Sequence, residues 1–559
     1  MKNTIIFLFL ASAFTTAAQP AFNWAKHHGS SADDAGYSVA MDAFGNVYTT
    51  GYFQGTVDFD PGPGTANLIS AGIYDIFVTK LDPSGNLIWA RRIGGNNIDW
   101  AYSMAIDASD NVYITGRFAG TADFDPGPGT FNLTAPGGFD DAFLVKLDAS
   151  GNLIWAFKLG GSSIDEGHAL ALDASGNIYL TGRFAGTVDL DPGPGTLSFT
   201  AYNGSDDIFV VKLDPAGYLF WAGQLGGNAA DVGWGISVDG AGNVYTTGYF
   251  WGTADFDPGP GSYNFTSFGN GDIYISKLNA SGNFAWAVQL GSTSDDLGHA
   301  LTVDGSGNLY ATGLFRGTVD FDPGPGNFNL TVAGGCDAFI SRLDSSGNFA
   351  WAKQLGGSSN DNGLALTLDN TGDVFTSGYF ESTADFDPGP GTFNLNSNGS
   401  RDVFVSHLDA AGNFQWAIAF GDVSNDEAND ILIDNNSGGI YTTGLFQGTS
   451  DFDHGSGTFN LTSAGIRDIF LHKMGGPMVG QPGSGIEGLL TIYPNPCTGK
   501  FTIRSMGDLE ICNALGDKNF LKKLFSVETE IDLSGFPAGI YFLRVRMDGA
   551  IYTQKVIVQ

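Results

Sequence analysis

One short string divides this chain into units. Asp58-Phe59-Asp60-Pro61-Gly62-Pro63-Gly64 returns at 123–129, 189–195 (with Leu190 for Phe), 255–261, 320–326 and 385–391. A worn copy, Asp451-Phe452-Asp453-His454-Gly455-Ser456-Gly457, closes the series. The seven copies stand 65 or 66 residues apart. A fixed period of this size belongs to chains that build one domain by stacking a single supersecondary unit. Trp-Ala keeps the same step, at Trp24, Trp89, Trp155, Trp221, Trp286, Trp351 and Trp416.

Each unit holds four short apolar runs bounded by Gly-Asn turns. In the first unit they are 37–42, 47–53, 75–81 and 87–93, and we letter them A, B, C and D. Runs of this length, rich in β-branched and aromatic residues, read as strands. Glycine makes up 82 of the 559 residues, about twice the usual ~7%. With aromatics at 13%, that excess points to tight turns between strands rather than to disorder. The expected fold is all-β: a seven-bladed β-propeller with four strands per blade, followed by a small β-sandwich.

The two ends test this expectation. The chain enters in a lone D strand, 22–28, and the seventh unit ends without one. Placing 22–28 beside strand C of the last blade ties the ends together and removes an open edge. Up-and-down order then puts A–B and C–D turns on one face, and B–C and D–A loops on the other. The first set are short Asp-x-x-Gly-Asn turns such as Asp42–Asn46, where Asp binds nearby backbone N–H groups and Gly accepts positive φ. The second set is longer and carries the Asp58–Gly64 string.

Flanking segments change character. Lys2, the apolar run 5–14 and Thr16-Ala17-Ala18 read as a signal peptide over 1–18. The propeller is expected over 19–474, a Gly/Pro-rich linker over 475–485 and a C-terminal domain over 486–559. Net charge is −34, from 59 acidic and 25 basic residues, which disfavours nucleic acid as a partner. Acids and bases balance within 486–559, so the excess sits on the repeats. Three cysteines, Cys336, Cys497 and Cys512, do not make a disulfide scaffold; Cys497 and Cys512 either pair or stay as thiols.

The tail contains Ile492-Tyr493-Pro494-Asn495-Pro496, Asn513-Ala514-Leu515-Gly516, Ile531-Asp532-Leu533-Ser534, Pro537-Ala538-Gly539-Ile540-Tyr541-Phe542 and Lys555-Val556-Ile557-Val558. In order and spacing it resembles the type A C-terminal sorting domain of the type IX secretion system. That resemblance implies engagement with the type IX machinery, export, removal of the tail, and release or attachment at the cell surface. The repeats, through Gly45–Phe53, Asp75–Asp82 and the following Gly-Asn-x-x-Trp-Ala, resemble SBBP-type β-propeller repeats. This second resemblance implies the fold, while activity varies widely on propellers.

Comparison of the units separates scaffold from site. Gly51, Phe53 and Asp58 keep their residue type in all seven units, whereas three positions do not repeat. The start of strand A reads Tyr37, Tyr102, His168, Trp234, His299, Leu364, Asn429. Near the end of B come Tyr52, Arg117, Arg183, Tyr249, Leu314, Tyr379, Leu445. Two residues on, with the same side-chain direction, come Gln54, Ala119, Ala185, Trp251, Arg316, Glu381, Gln447. If A is innermost, these sets ring a channel mouth, and their aromatics, Arg and His suit a glycan or protein ligand. The alternative is a variable surface with no ligand.

The motif also supplies paired carboxylates: Asp58 with Asp60, Asp123 with Asp125, Asp189 with Asp191, Asp255 with Asp257, Asp320 with Asp322, and Asp385 with Asp387. These are candidate calcium ligands, calcium being the one cofactor considered. Against calcium stands the capping of a small hairpin with Pro-Gly-Pro-Gly at its tip. Acids in the D–A loops, among them Asp99, Asp165, Glu166 and Asp231, allow a secreted polysaccharide hydrolase or lyase as an alternative. No nucleophile elbow, zinc helix or phosphate loop supports an enzyme. The preferred expectation is a non-catalytic binding module, with a structural surface or adhesion role as a further alternative.

Overall fold

A computed structural model describes residues 19–475 and, further on, 491–493, 500–504, 507–513, 518–524, 528–537, 539–547 and 550–558. The expected signal peptide, nearly all of the linker, Cys497 and the Cys512 side chain lie outside the described residues. The chain divides into two compact units, Met1–Pro477 and Met478–Gln559. Among the described residues no helix is long and apolar enough to cross a membrane.

The first unit is a ring of antiparallel sheets. Strand A of the first repeat (Ala35–Met41) pairs with B (Val47–Phe53), B with C (Asp75–Leu81), and C with D (Leu87–Gly95). The same order recurs along the chain. The strands form because β-rich residues alternate between two covered faces, so B and C are buried at every position in the first repeat. The A strands touch one another in succession, and Glu427–Asp434 of the last repeat reaches back to Ala35–Met41, so the ring closes. The closing sheet takes Phe22–His28 as its fourth strand, antiparallel to Asp468–Gly475, with Ala25 opposite His472.

Repetition supplies the mortar between neighbouring sheets. In the first repeat Asp42 takes N–H groups of Phe44 (3.0 Å) and Asn46 (2.9 Å), the Tyr48 hydroxyl (3.1 Å) and the Lys80 ammonium (3.1 Å). Lys80 also lies 4.8 Å over the Tyr48 ring. Trp89 reaches the next unit, donating from Nε1 to the Ala149 carbonyl at 3.2 Å.

The opening motif is a hairpin: Thr56–Asp58 pairs with Asn67–Ile69, and the later copies do the same. Several of these hairpins also pair with the D strand of the preceding sheet, as Ala122 with Gly95 and Val188 with Gly161. The motif therefore clasps adjacent sheets.

The second unit contains two antiparallel sheets, one of Thr491–Tyr493, Lys500–Arg504 and Glu528–Asp532, the other of Lys518–Leu524, Gly507–Asn513, Gly539–Met547 and Ala550–Val558. Phe501, Leu509, Ile511, Ile531, Leu533, Tyr541, Leu543 and Val558 form its core.

Candidate functional site

The non-repeating position of strand A has a structural cause that its sequence does not announce. In every repeat the A–B ladder skips one residue of A, and the skipped residues are Tyr37, Tyr102, His168, Trp234, His299, Leu364 and Asn429. A bulge residue is released from pairing and its side chain is re-aimed. A small residue precedes it, because a Cβ at Gly36, Gly167 or Gly233 would stand 2.5, 2.2 and 2.5 Å from a threonine hydroxyl of the neighbouring sheet.

The released side chains meet round the axis. Tyr37 and Tyr102 pack edge to face at 5.6 Å, Tyr102 and His168 at 5.4 Å, and His168 stacks on Trp234 at 4.2 Å. Trp234 and His299 follow at 6.2 Å. Asn362 Nδ2 lies 3.4 Å from His299 Nε2, and Asn429 Nδ2 donates to the Gly36 carbonyl at 2.8 Å. Tyr37, Tyr102, Trp234 and His299 keep partial exposure, and burial of the rest of each ring pushes the Tyr37 hydroxyl up to about 12 and His299 down to about 4.

Outside the belt, the B-strand positions join a chain of charges. Asp140, Arg117, Glu166, Arg183 and Asp206 alternate in sign at 2.8, 2.9, 2.9 and 2.6 Å. His168 Nε2 also reaches Glu166 at 2.9 Å, while its Nδ1 faces the Gly233 carbonyl at 2.9 Å. Burial alone would raise Glu166; hydrogen bonds and charge from His168 and Arg183 outweigh it and hold the carboxyl below its ordinary value. Trp100 is sandwiched between Tyr52, stacked at 4.7 Å, and the Arg117 guanidinium at 4.2 Å. The Tyr52 hydroxyl donates to Asp33 at 3.4 Å, and Arg467 grips Asp33 with two bonds of 2.6 Å. Near the ring's other end Arg401 bonds Glu427 at 2.6 Å and lies over Tyr379 at 4.2 Å.

The third position contributes less uniformly. Trp251 is 44% exposed and leans on Gly271, where a Cβ would meet its Nε1 at 2.4 Å. Tyr249 beside it is half-buried and raised above its ordinary value by that burial. Arg316 has a buried Nε with no partner among the described residues. Trp100, Glu166 and Glu427 follow the buried Asp at the start of A; Tyr74, Asp140, Asp206, Arg401 and Arg467 precede the first Asp of C. None of these eight stood in the ligand set read from sequence, although the same test of non-repetition would have found both positions.

The hairpin carboxylates are engaged locally. Asp58 Oδ1 accepts N–H from Asp60 (3.0 Å) and Ala66 (2.8 Å), and Asp60 Oδ1 accepts N–H from Gly62 (2.8 Å). The first aspartate of each later pair does the same: Asp123, Asp189, Asp255, Asp320 and Asp385 each take two backbone N–H groups across their hairpin. The second aspartate caps the tip. Asp125 accepts from Gly127 at 2.8 Å, Asp191 from Gly193 at 2.8 Å, Asp257 from Gly259 at 2.9 Å, Asp322 from Gly324 at 2.8 Å and Asp387 from Gly389 at 2.8 Å. A Cβ at Gly64 would stand 2.0 Å from Asp60 Oδ2, which explains the final glycine. Among the described residues no group of three or more His, Cys, Asp or Glu is placed to hold a metal ion. The carboxylates of the calcium expectation, Asp58, Asp60, Asp123, Asp125, Asp189, Asp191, Asp255, Asp257, Asp320, Asp322, Asp385 and Asp387, stand two to a hairpin. The Oδ1 of each accepts N–H groups of its own turn, the arrangement that turn capping requires.

The D–A loop acids form a second, buried system. Asp34, Asp99, Asp165, Asp231, Asp296, Asp361 and Asp426 are each matched with a buried Asp that opens strand C: Asp468, Asp75, Asp141, Asp207, Asp272, Asp337 and Asp402. The loop member accepts N–H from four residues back, as Asp99 from Gly95 at 2.6 Å. The Oδ1 of every C-strand member is buried without a partner among the described residues. Burial, reinforced by the neighbouring carboxylate, raises Asp165 and Asp231 to about 8. These acids stand where one sheet meets the next.

Sheets closed in a ring and a fixed sequence period define a β-propeller repeat protein. Residues 88–117 match the family model of the SBBP beta-propeller repeat, and residues 491–559 match that of the secretion system C-terminal sorting domain. The chain thus carries an SBBP β-propeller repeat at 88–117 and a type IX sorting domain at 491–559, and the sorting domain indicates secretion and attachment at the outer cell surface.

Among curated proteins it is similar to an uncharacterized WD repeat-containing protein, L264, of Acanthamoeba polyphaga mimivirus: 24% identity over 496 residues, 74% of this chain and 35% of that protein. The regulatory protein FlaEY of Caulobacter vibrioides is 25% identical over 280 residues, 48% of this chain and 28% of that protein. The chain therefore spans about a third of the length of these curated relatives. Among solved structures, Sqt1 from Chaetomium thermophilum superposes with a TM-score of 0.37 at 11% identity, covering 86% of this chain and 97% of that one. PorZ, a surface component of the type IX secretion system of Porphyromonas gingivalis, gives 0.17 at 12% identity, covering 95% and 100%.

Proposed function

We propose that residues 19–474 form a closed seven-bladed propeller that acts outside the cell as a non-catalytic binding module for a glycan or protein ligand. A linker over 475–485 joins it to a small sandwich over 486–559 that serves export. One observation carries the reading: the side chains that refuse to repeat are contiguous on one face, in a belt and a charge ladder, while the acids that do repeat are spent on backbone N–H groups and inter-sheet pairs. Tyr249 and the exposed Trp251 offer stacking area, and Asp206 and Arg183 offer polar contacts beside them.

A screen of the purified secreted chain against glycan and protein libraries tests this. Trp251→Ala is expected to weaken the interaction about tenfold or more, corresponding to ~1.4 kcal/mol, without changing the melting temperature. A ligand retained at full affinity by both Trp251→Ala and Arg183→Ala would overturn the placement. A screen without any ligand would overturn the binding role.

A further inference from the structure

The seventh repeat departs from the other six at two positions that meet in space. His454 replaces the proline of Pro61, Pro126, Pro192, Pro258, Pro323 and Pro388, and His472 stands where the others have Thr79, Val145, Val211, Ser276, Ser341 and Ser406. The two imidazoles lie 5.9 Å apart, edge to face. His472 is fully buried, and neither ring nitrogen makes a well-formed hydrogen bond among the described residues, although the Phe452 backbone favours its protonated form. Phe22 lies 5.6 Å from it, Phe420 4.6 Å and Phe452 6.3 Å. Ala25 of the closing strand and Thr442 stand opposite it in the ladders, and the Thr442 hydroxyl is also buried without a partner. His454 Nε2 donates to the Pro20 carbonyl at 2.7 Å, which leaves its buried Nδ1 as an acceptor without a donor.

The closing strand adds two more imidazoles. His27 packs edge to face on Phe446 at 5.9 Å. His28 lies 5.3 Å from Phe59 of the first hairpin, with Nδ1 3.4 Å from the Asp58 carbonyl. Four of the seven histidines of the chain therefore sit on the seam where the ring is closed.

We propose that this seam is an acid-sensitive closure: protonation of His454 and His472 undocks strand Phe22–His28 from Asp468–Gly475 while the remaining sheets stay folded. A second proton on His472 is favoured only by the Phe452 backbone, is opposed by His454 and by burial, which outweigh that contact, and must be held among phenylalanine rings, whereas in the undocked strand water solvates it. Burial accordingly holds His28 at about 4 and His27, His454 and His472 below the ordinary histidine value.

The docked state thus binds fewer protons than the open one. Docking is at full strength above ~6.5 and weakens as pH falls, by up to about tenfold per unit for each histidine. The facing charges are few. Lys26 and His27 disfavour protonation of His28, Asp58 favours it, and Asp453 favours that of His454. Asp468 shares the strand of His472, Asp451 lies in the hairpin, and Lys473 and Tyr441 pair with each other at 4.8 Å. The Phe414–Phe420 strand carries no titratable group. The aspartate pairs between sheets respond in the opposite sense, gaining stability in acid, whereas His299 and Glu166 outside the seam respond in the same sense as the seam histidines, so the test reads the seam strand by itself.

Hydrogen exchange of the full chain, corrected for intrinsic rates and read by mass spectrometry from pH 7.5 to 4, tests the proposal. Segment 22–28 is expected to exchange at least about tenfold faster at pH 5 than at pH 7, with Val244–Phe250 unchanged as control. The double variant His454→Pro with His472→Thr, which installs residues the first repeat uses at these positions, is expected to flatten that rise. A rise of equal size in this variant, or none in the parent, overturns the idea. Exchange of the imidazole C2 hydrogens in the unmodified protein supplies a measurement free of variants: ordinary titration of His454 and His472 overturns it as well.

Discussion

Asp207→Asn is expected to stabilise this protein in alkali and leave it unchanged in acid. Asp207 is fully buried; its Oδ2 accepts from the Tyr202 N–H at 3.0 Å and from Gln224 Nε2 at 2.5 Å, while its Oδ1 is left without a partner. Asp231 lies beside it, since a Cβ at Gly226 would stand 2.8 Å from Asp231 Oδ2 and 3.1 Å from Asp207 Oδ1. Burial lifts Asp207 from 3.8 to about 6. A carboxyl raised on folding contributes its stability below its unfolded value and loses it as pH climbs through the folded one.

Ionised Asp207 at pH 8 is therefore a net burden of up to ~3 kcal/mol, at ~1.4 kcal/mol per unit. Asn keeps the shape and the Oδ1/Nδ2 fork, removes the charge, and aims a donor from the orphaned position at the Asp231 carboxylate. We expect a gain of ~1–3 kcal/mol at pH 8, about 1–3 °C in Tm for a ring of this size, and a change near zero at pH 4. Scanning calorimetry at the two pH values reads this directly. Asp231→Asn is the matched control. Both its oxygens accept backbone N–H, from Gly227 at 2.7 Å and Trp251 at 3.1 Å, so an amide there opposes donor to donor and destabilises at either pH. A loss of stability in Asp207→Asn at pH 8, or an equal shift at both pH values, would refute the reasoning.

Other expectations follow from the same geometry. Glu166→Gln removes the carboxylate shared by Arg117, Arg183 and His168 and should cost about 2–4 kcal/mol in chemical denaturation. Deleting residues 19–28 strips the closing sheet of its fourth strand and should cause aggregation or a large fall in melting temperature; a deletion that melts like the parent would contradict the closure. Melting with added calcium and with a chelator decides the role of the hairpin carboxylates. Turn capping predicts no shift, and a rise with calcium would assign the outward Oδ2 atoms to a cation.

The period, the alternation of apolar residues and the Gly-Asn turns were enough to define an all-β repeat ring, to orient its loops and to name strand 22–28 as the missing partner of the last sheet. These features are local or strictly repeated, and a side chain that must fill the same space in each unit leaves its mark once per unit. The second unit lacks such repetition, and strands such as Gly507–Asn513, Lys518–Leu524 and Glu528–Asp532 leave no comparable mark in the sequence.

Non-repetition also pointed to Tyr37, His168, Arg117 and Trp251, yet it did not tell what they touch. That His168 stacks on Trp234, that Trp100 lies between Tyr52 and Arg117, and that fourteen buried aspartates pair across the sheets are facts of ring closure. Residues about 65 positions apart become neighbours only when each strand A is laid beside the next. The Asp-Phe-Asp-Pro-Gly string, the most conspicuous feature of the sequence, is in the folded ring a clasp that spends its carboxylates on its own backbone and its strands on the sheet before it.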